Sequence, residues 1–520
     1  MPPSIAWSTL SALIPLLIAI YAVYSLVSGK LRCSRLPPGP SGWPLIGNMF
    51  DVPRGPTIWI EYREMCKKYK SDIVYLNVLG KPMVVLNTLE AATELLERRS
   101  AIYSDRPRFV MLRELMGGDT FSSQPYGSYW RSHRRLFHSE FEASGKGTIW
   151  HHPYQIRNVN ETLRRLLESP ERWPTHLRQQ AAAMVLEVAY GFRALPENDP
   201  YIRLAEGNMA YVIVAGTGKY LVEIMPWLKY VPAWFPGASF QTVAKEARKV
   251  MSDAIEVPFE AVQKALANNT ANPSYTSRCL ENVDPNKDIA FQHLVIKNTA
   301  GTMLGAGTET TLGTFHSFIM AMVLYPDVQA KAQRELDAVL GPNQLPSFAD
   351  QDSLPYLTAL VKELLRWEPL LPFAVPHRST KDDVYNGYLI PAGTIIYPNS
   401  WAILNDENVY PDPETFNPDR FLTEDGKPDP SVRDTNVAFG YGRRICPGRF
   451  MVLESVWLTA ASILACYKIE SPVDEHGNEV KPARDYYTNI VRQPVPFSCR
   501  FTPRSKETEK IIGDLFISSE

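Results

Sequence analysis

Near the C-terminal end, Phe439-Gly440-Tyr441-Gly442-Arg443-Arg444-Ile445-Cys446-Pro447-Gly448 sets one cysteine among glycines and arginines, directly ahead of an apolar run that reads as a helix from about Arg449 to Tyr467. Gly440, Gly442 and Gly448 let the backbone turn tightly and come close to a flat ligand. A sulfur just before a helix N-terminus is favoured as the thiolate, the form that binds metal. Arg444 is placed to pair with an acidic group on that ligand, and Phe439 to cover the apolar side of the sulfur. The competing reading is a Gly-rich helix cap with an incidental buried cysteine. By average residue usage, Phe439, Gly442, Arg444, Cys446 and Gly448 would fall at these spacings by chance on the order of once in ten thousand chains of this length. The other cysteines, Cys33, Cys66, Cys279, Cys466 and Cys499, are scattered, with no CxxC pair.

Other spacings carry chemistry only in company. Leu304-Gly305-Ala306-Gly307-Thr308-Glu309-Thr310-Thr311 keeps two glycines inside a helical pattern, at a cost of about 1 kcal/mol each relative to alanine. Thr310 follows Ala306 by four residues, so its hydroxyl can bond the Ala306 carbonyl and bend the helix into a notch. Glu363 and Arg366 are three apart and therefore neighbours on a helix, as are Trp130 and Arg134 at four. Each of these alone is a common surface or core pattern.

Taken with the cysteine segment, they resemble the cytochromes P-450. The signature Phe-x-x-Gly-x-Arg-x-Cys-x-Gly is matched at every fixed position, and the resemblance runs to about residue 500. It implies haem b with Cys446 as the iron ligand; a thiolate in that position promotes O–O cleavage. It implies that Glu309 and Thr310 form an acid–alcohol pair passing protons to oxygen. Trp130, Arg134, Arg106, His377 and Arg444 become propionate donors, with Phe439, Gly440, Gly442, Gly448, Ala306 and Gly307 against the cofactor. Glu363, Arg366 and Arg420, the last from Phe416-Asn417-Pro418-Asp419-Arg420-Phe421, become a structural network. Phe109, Leu304, Ala306, Phe373, Val375 and Ile490 become pocket residues, mostly apolar. The implied reaction is monooxygenation of an apolar small molecule with O2. No flavin or nicotinamide domain is evident, so electrons would come from a separate NADPH-dependent cytochrome reductase, with cytochrome b5 as a further candidate donor. The layout resembles fungal microsomal members of secondary metabolism; a terpenoid substrate stands ahead of an aromatic, indole or polyketide one. A haem-thiolate isomerase or dehydratase and a non-catalytic haem-binding protein are the rival classes, and the intact Glu309-Thr310 pair argues against both.

The elements that must position these residues follow from the rest of the chain. It has 520 residues, 45% hydrophobic and 21% charged, with a formal net charge of −2. That balance argues against nucleic acid, which needs a basic surplus. From Ile5 to Ser28 no charge occurs, enough to cross a membrane as a helix. Lys30, Arg32 and Arg35 follow it, which keeps the remainder cytoplasmic by the positive-inside rule. The expectation is a single-pass anchor at 1–28, a basic and Pro-rich linker at 29–40 including Leu36-Pro37-Pro38-Gly39-Pro40, and one catalytic domain at 41–520 on the endoplasmic reticulum membrane. In that orientation the sequons at Asn160 and Asn268 stay silent. A β-hairpin is expected over 72–87 around Gly80-Lys81-Pro82, and short strands over 374–400 with a turn at Asn386-Gly387. Helices dominate elsewhere, notably 290–340, 354–368 and 449–467. The fold class is mostly α with minor β.

Overall fold

The computed structural model describes residues 35–141, 148–216, 219–487 and 491–515. The charge-free stretch 5–28 and Ile490 lie outside the described residues. The fold is mostly helical with a minor sheet portion, as expected. The described chain divides into two compact units. One comprises the chain through Pro107 together with Pro376–Asn399; the other comprises Arg108–Val375 and the chain from Ser400 onward. Composition shows no linker after residue 40 because the first unit is completed by a distant segment rather than set off by a spacer.

In the first unit, helix α1 (Ile58–Tyr69) precedes β1 (Ile73–Val78) and β2 (Lys81–Leu86). Strands β3 (His377–Arg378), β4 (Asp383–Tyr385), β5 (Tyr388–Ile390) and β6 (Ile395–Pro398) come from the later segment. The main sheet runs β1-β2-β6-β3, with β2 and β6 parallel and the other pairs antiparallel. The first hairpin is present, but its turn lies earlier than expected: Leu79 and Gly80 take φ of 49° and 83°, while Lys81 and Pro82 already pair in β2. Only Gly80 advertised this turn, since a leucine at positive φ is uncommon. The β4–β5 turn is at Asn386 and Gly387, both at positive φ, as the Asn-Gly pair implied.

The second unit is helical. Its long members are α2 (Ser128–Phe141), α3 (His152–Glu168), α4 (Trp173–Tyr190), α5 (Pro200–Gly216), α6 (Ser239–Ala267), α7 (Ile289–Leu324), α8 (Pro326–Leu340), α9 (Pro355–Trp367) and α10 (Arg449–Cys466). Helices α3, α4, α8 and α9 carry proline in the first turn, where its missing N–H costs nothing. Asp288 caps α7 by accepting the Phe291 N–H at 3.0 Å. A 36-residue helix spans about 54 Å, so α7 passes through the whole core, with Leu312, Phe315, Phe318 and Ile319 packed in one cluster with Trp367 of α9 and Trp457 of α10. Helix α10 is the one described helix long and apolar enough to cross a membrane. It is mostly buried by its neighbours and serves as a core helix. Strands β7 (Tyr467–Glu470) and β8 (Arg500–Pro503) close its C-terminal end.

Candidate active site

The cysteine loop is built from two short 3-10 turns, Asn436–Phe439 and Gly442–Arg444, joined at Gly440. Gly440 has φ of 90° and Gly442 φ of 50°, conformations that a side chain would strain. The Cys446 N–H donates to the Phe439 carbonyl at 2.8 Å and closes the loop. Backbone N–H groups of Gly448 and Arg449 point to the sulfur. Burial pushes the Cys446 thiol up, and these N–H groups with the Arg134 and Arg449 guanidiniums oppose the shift without reversing it. The helix N-terminus thus favours the thiolate, as expected from sequence, while desolvation works against it. The other described cysteines are buried thiols whose pKa burial also raises, Cys66 to about 11 and Cys466 and Cys499 to about 12, and they lack this array.

Three predicted residues converge on the loop. Arg134 on α2 donates to the Ile445 carbonyl at 2.6 Å, one residue from the sulfur. Arg444 lies over the Trp130 ring, 4.3 Å from its centroid, and donates to the Gln124 carbonyl at 2.8 Å. The Gln124 carboxamide is buried, with neither atom hydrogen-bonded among the described residues. Sequence reasoning missed Gln124, and also Tyr126, whose hydroxyl accepts from Arg443 and whose ring lies beside Arg131, Arg443 and Arg444. No motif marks either residue. In the first unit, Arg106 and His377 are also brought together: Arg106 donates to the Pro376 carbonyl at 2.9 Å. His377 Nδ1 is 2.7 Å from the Tyr103 carbonyl. A carbonyl only accepts, so Nδ1 carries the proton, and Nε2 could donate to a carboxylate only from the charged ring.

On α7 the Thr310 hydroxyl donates to the Ala306 carbonyl at 2.8 Å, as its spacing implied. Ala306 is exposed midway along the helix, within a stretch from Val295 to Val323 that is mostly buried. The glycines do not make this notch. A Cβ on Gly305 would meet the Asn208 amide, and one on Gly307 would meet Val185 at 3.1 Å, so they serve close packing against α5 and α4. Leu304 is also placed otherwise than expected: it is buried in the core cluster with α4, because two residues along a helix turn a side chain to nearly the opposite face from Ala306. Phe109, Phe373 and Val375 are half-buried in the second unit. The Glu309 carboxylate is held by Arg178 at 3.3 Å and Gln493 at 3.0 Å, partners over a hundred residues away in sequence and invisible to motif reading.

Glu363, Arg366 and Arg420 form the expected network. Arg366 makes a bidentate pair with the Glu363 carboxylate at 2.7 and 2.9 Å, and Arg420 reaches the same carboxylate at 3.1 Å. The Asn417 N–H adds a fourth bond at 2.8 Å. Arg366 also donates to the Leu404 and Pro413 carbonyls, and Arg420 to that of Pro411. The network thus pins α9 to the irregular chain that leads into the cysteine loop.

The donor set fits haem: a half-buried cysteine with N–H groups on its sulfur, cationic and indole donors beside it, an orphaned amide at Arg444, and an open face at Ala306 and Thr310. A family model described as Cytochrome P450 matches residues 37–501. The chain is 44% identical over 503 residues to cytochrome P450 monooxygenase 98 of Postia placenta, covering 96% of this chain and 95% of the relative. It is 43% identical over 499 residues to tryptamine 4-monooxygenase of Psilocybe cyanescens, covering 94% and 97%. The chain belongs to the cytochrome P450 family. It is a P450 monooxygenase, an oxidoreductase that uses haem with a cysteine thiolate ligand and takes electrons from a redox partner.

Proposed function

We propose that this monooxygenase oxidises an apolar small molecule of fungal secondary metabolism, a terpenoid before an aromatic, at the endoplasmic reticulum membrane with a separate NADPH-dependent reductase. The observation carrying the substrate reading is the apolar character of Phe109, Ala306, Phe373 and Val375, none of which could pair with a charged ligand. A second reading, hydroxylation of an indole amine, draws on the tryptamine 4-monooxygenase relative. An ammonium would call for a carboxylate, and the nearby Glu309 is already held by Arg178 and Gln493. Spectral titration of the haem-loaded protein tests both: terpenoids are expected to shift the haem spectrum at lower concentration than tryptamine. The reverse order favours the indole reading.

Haem, when bound, supplies activation of dioxygen for insertion into a C–H bond. Cys446 would hold its iron, and Trp130, Arg134 and Arg444 its acidic side groups. Thr310 holds a proton at Oγ, and Glu309, the residue before it, offers a carboxylate. Thr310→Ala is expected to leave haem content nearly unchanged but to divert most reducing equivalents into peroxide. Unchanged product per electron would reduce Thr310 to packing.

Support for the membrane reading comes from the charge-free stretch 5–28 and from Trp227, Tyr230, Trp234 and Phe235, all exposed on one short segment, since clustered exposed aromatics suit a lipid interface. Support for an acidic redox partner comes from a shallow concavity beside the cysteine loop lined by Arg131, Arg134, Arg135, His138 and Arg443. Arg135→Glu is expected to slow reductase-supported turnover several-fold at low salt and less at physiological salt. Peroxide-driven turnover should hardly change. A parallel fall by both routes would mean damage to haem binding.

A further inference from the structure

A second cluster of metal-ligating side chains lies away from the cysteine loop. His151 precedes α3, His152 begins it, and Glu454 lies on α10. One ligand atom from each falls within 4.8 Å of the other two. His152 Nε2 is 3.4 Å from a Glu454 carboxylate oxygen. His151 is 2% exposed and its Nδ1 has no hydrogen-bond partner among the described residues. The Gln155 carboxamide beside it gives its N–H to the Met451 carbonyl at 3.1 Å and interacts with the His151 ring, short of a hydrogen bond of ordinary geometry. No arginine or lysine among the described residues pairs with Glu454. The rings are well fixed: His152 stacks on Phe348 at 3.9 Å and meets His151 edge-on at 5.3 Å.

A buried imidazole nitrogen without a partner and a carboxylate without a paired cation are each costly. One ion resolves both. We propose that His151, His152 and Glu454 form a site for a zinc-class divalent cation, with a water completing the tetrahedron. Two imidazoles select this class over magnesium or calcium, which prefer all-oxygen shells. Bonds of about 2.0–2.2 Å set ligand atoms roughly 3.4 Å apart, so the widest pair closes by little more than an ångström on loading. The ion joins the start of α3 to α10, the helix that begins just past Cys446, and so braces that helix from outside the reaction. This site rests on none of the substrate or redox-partner reading.

The test uses haem-loaded full-length protein, stripped with a chelator and titrated with Zn²⁺ alone by calorimetry, with Mg²⁺ as the comparison. One equivalent of Zn²⁺ is expected to bind and to raise Tm, and Mg²⁺ to do neither. His152→Gln and Glu454→Gln should each weaken that equivalent about tenfold or more and remove the Tm rise, while the haem spectrum is retained. Absence of the zinc equivalent, equal affinity in wild type and variants, or equal binding of Mg²⁺ overturns the proposal. Should the variants fail to load haem, zinc-edge X-ray absorption on wild type decides: two nitrogens and a carboxylate oxygen are expected, and a shell of water or sulfur overturns it.

Discussion

Replacing Cys446 by serine abolishes the absorption band at about 450 nm on reduced-CO binding, because a neutral hydroxyl cannot supply the electron density of a thiolate. The structure sharpens this expectation. The sulfur sits where burial already disfavours an unpaired anion, against N–H groups of Gly448 and Arg449 and the Arg134 guanidinium. A serine hydroxyl in the same place, with a far higher intrinsic pKa, stays protonated and binds iron weakly. Cys66, Cys279, Cys466 and Cys499 provide the control. They are buried without this array, and serine at any of them should keep the band. Loss of the band from one of those variants, with retention in Cys446→Ser, would refute the assignment of the ligand.

The second large effect is expected at Glu363. Alanine there leaves Arg366, fully buried, and Arg420, 8% exposed at its side chain, without their shared carboxylate. Breaking a buried ion pair by removing one partner costs about 3–5 kcal/mol, a large share of the total stability of an ordinary domain. Here the freed charges also hold the chain that enters the cysteine loop. Glu363→Ala is therefore expected to accumulate little haem-containing protein, measured as the reduced-CO band per total chain. Glu363→Asp, which keeps the charge but shortens its reach, should recover only part of it. Arg366→Lys should fare poorly too, because an ammonium cannot make the bidentate pair. Full haem content in Glu363→Ala would show that the backbone carbonyls alone hold the two guanidiniums.

The cysteine loop was legible because it is local: five residues at fixed spacing carry its turn, its ligand and its arginine. The same holds for Thr310 and Ala306, four apart on one helix, and for Glu363 and Arg366. What stayed hidden was set by contacts across the chain. Gly307 reads as room for a ligand until Val185 is seen against it, and Leu304 reads as a pocket residue until the helical phase turns it into the core. The Arg178 and Gln493 contacts of Glu309 join helices and loops with no motif in common. His151, His152 and Glu454 meet across some three hundred residues, with no spacing to signal it. The hairpin turn shifted because leucine at positive φ has no sequence signature.

The parallel pairing of β2 with β6 joins Met83 to Ile395. During synthesis the early hairpin must therefore wait for about 300 further residues, roughly 15 s to a minute at ordinary translation rates. Until then the β2 edge stands open as a template for pairing with any passing strand. The intervening chain carries Arg108–Val375, the larger part of the helical unit, while α10, β7 and β8 of that unit are still to be made. The N-terminal sheet is thus sealed only when the ribosome has passed residue 398, and the helical core follows later still, when α10 brings Trp457 into its cluster. A nascent chain stalled before that point carries an exposed strand, and chaperone dependence should concentrate there.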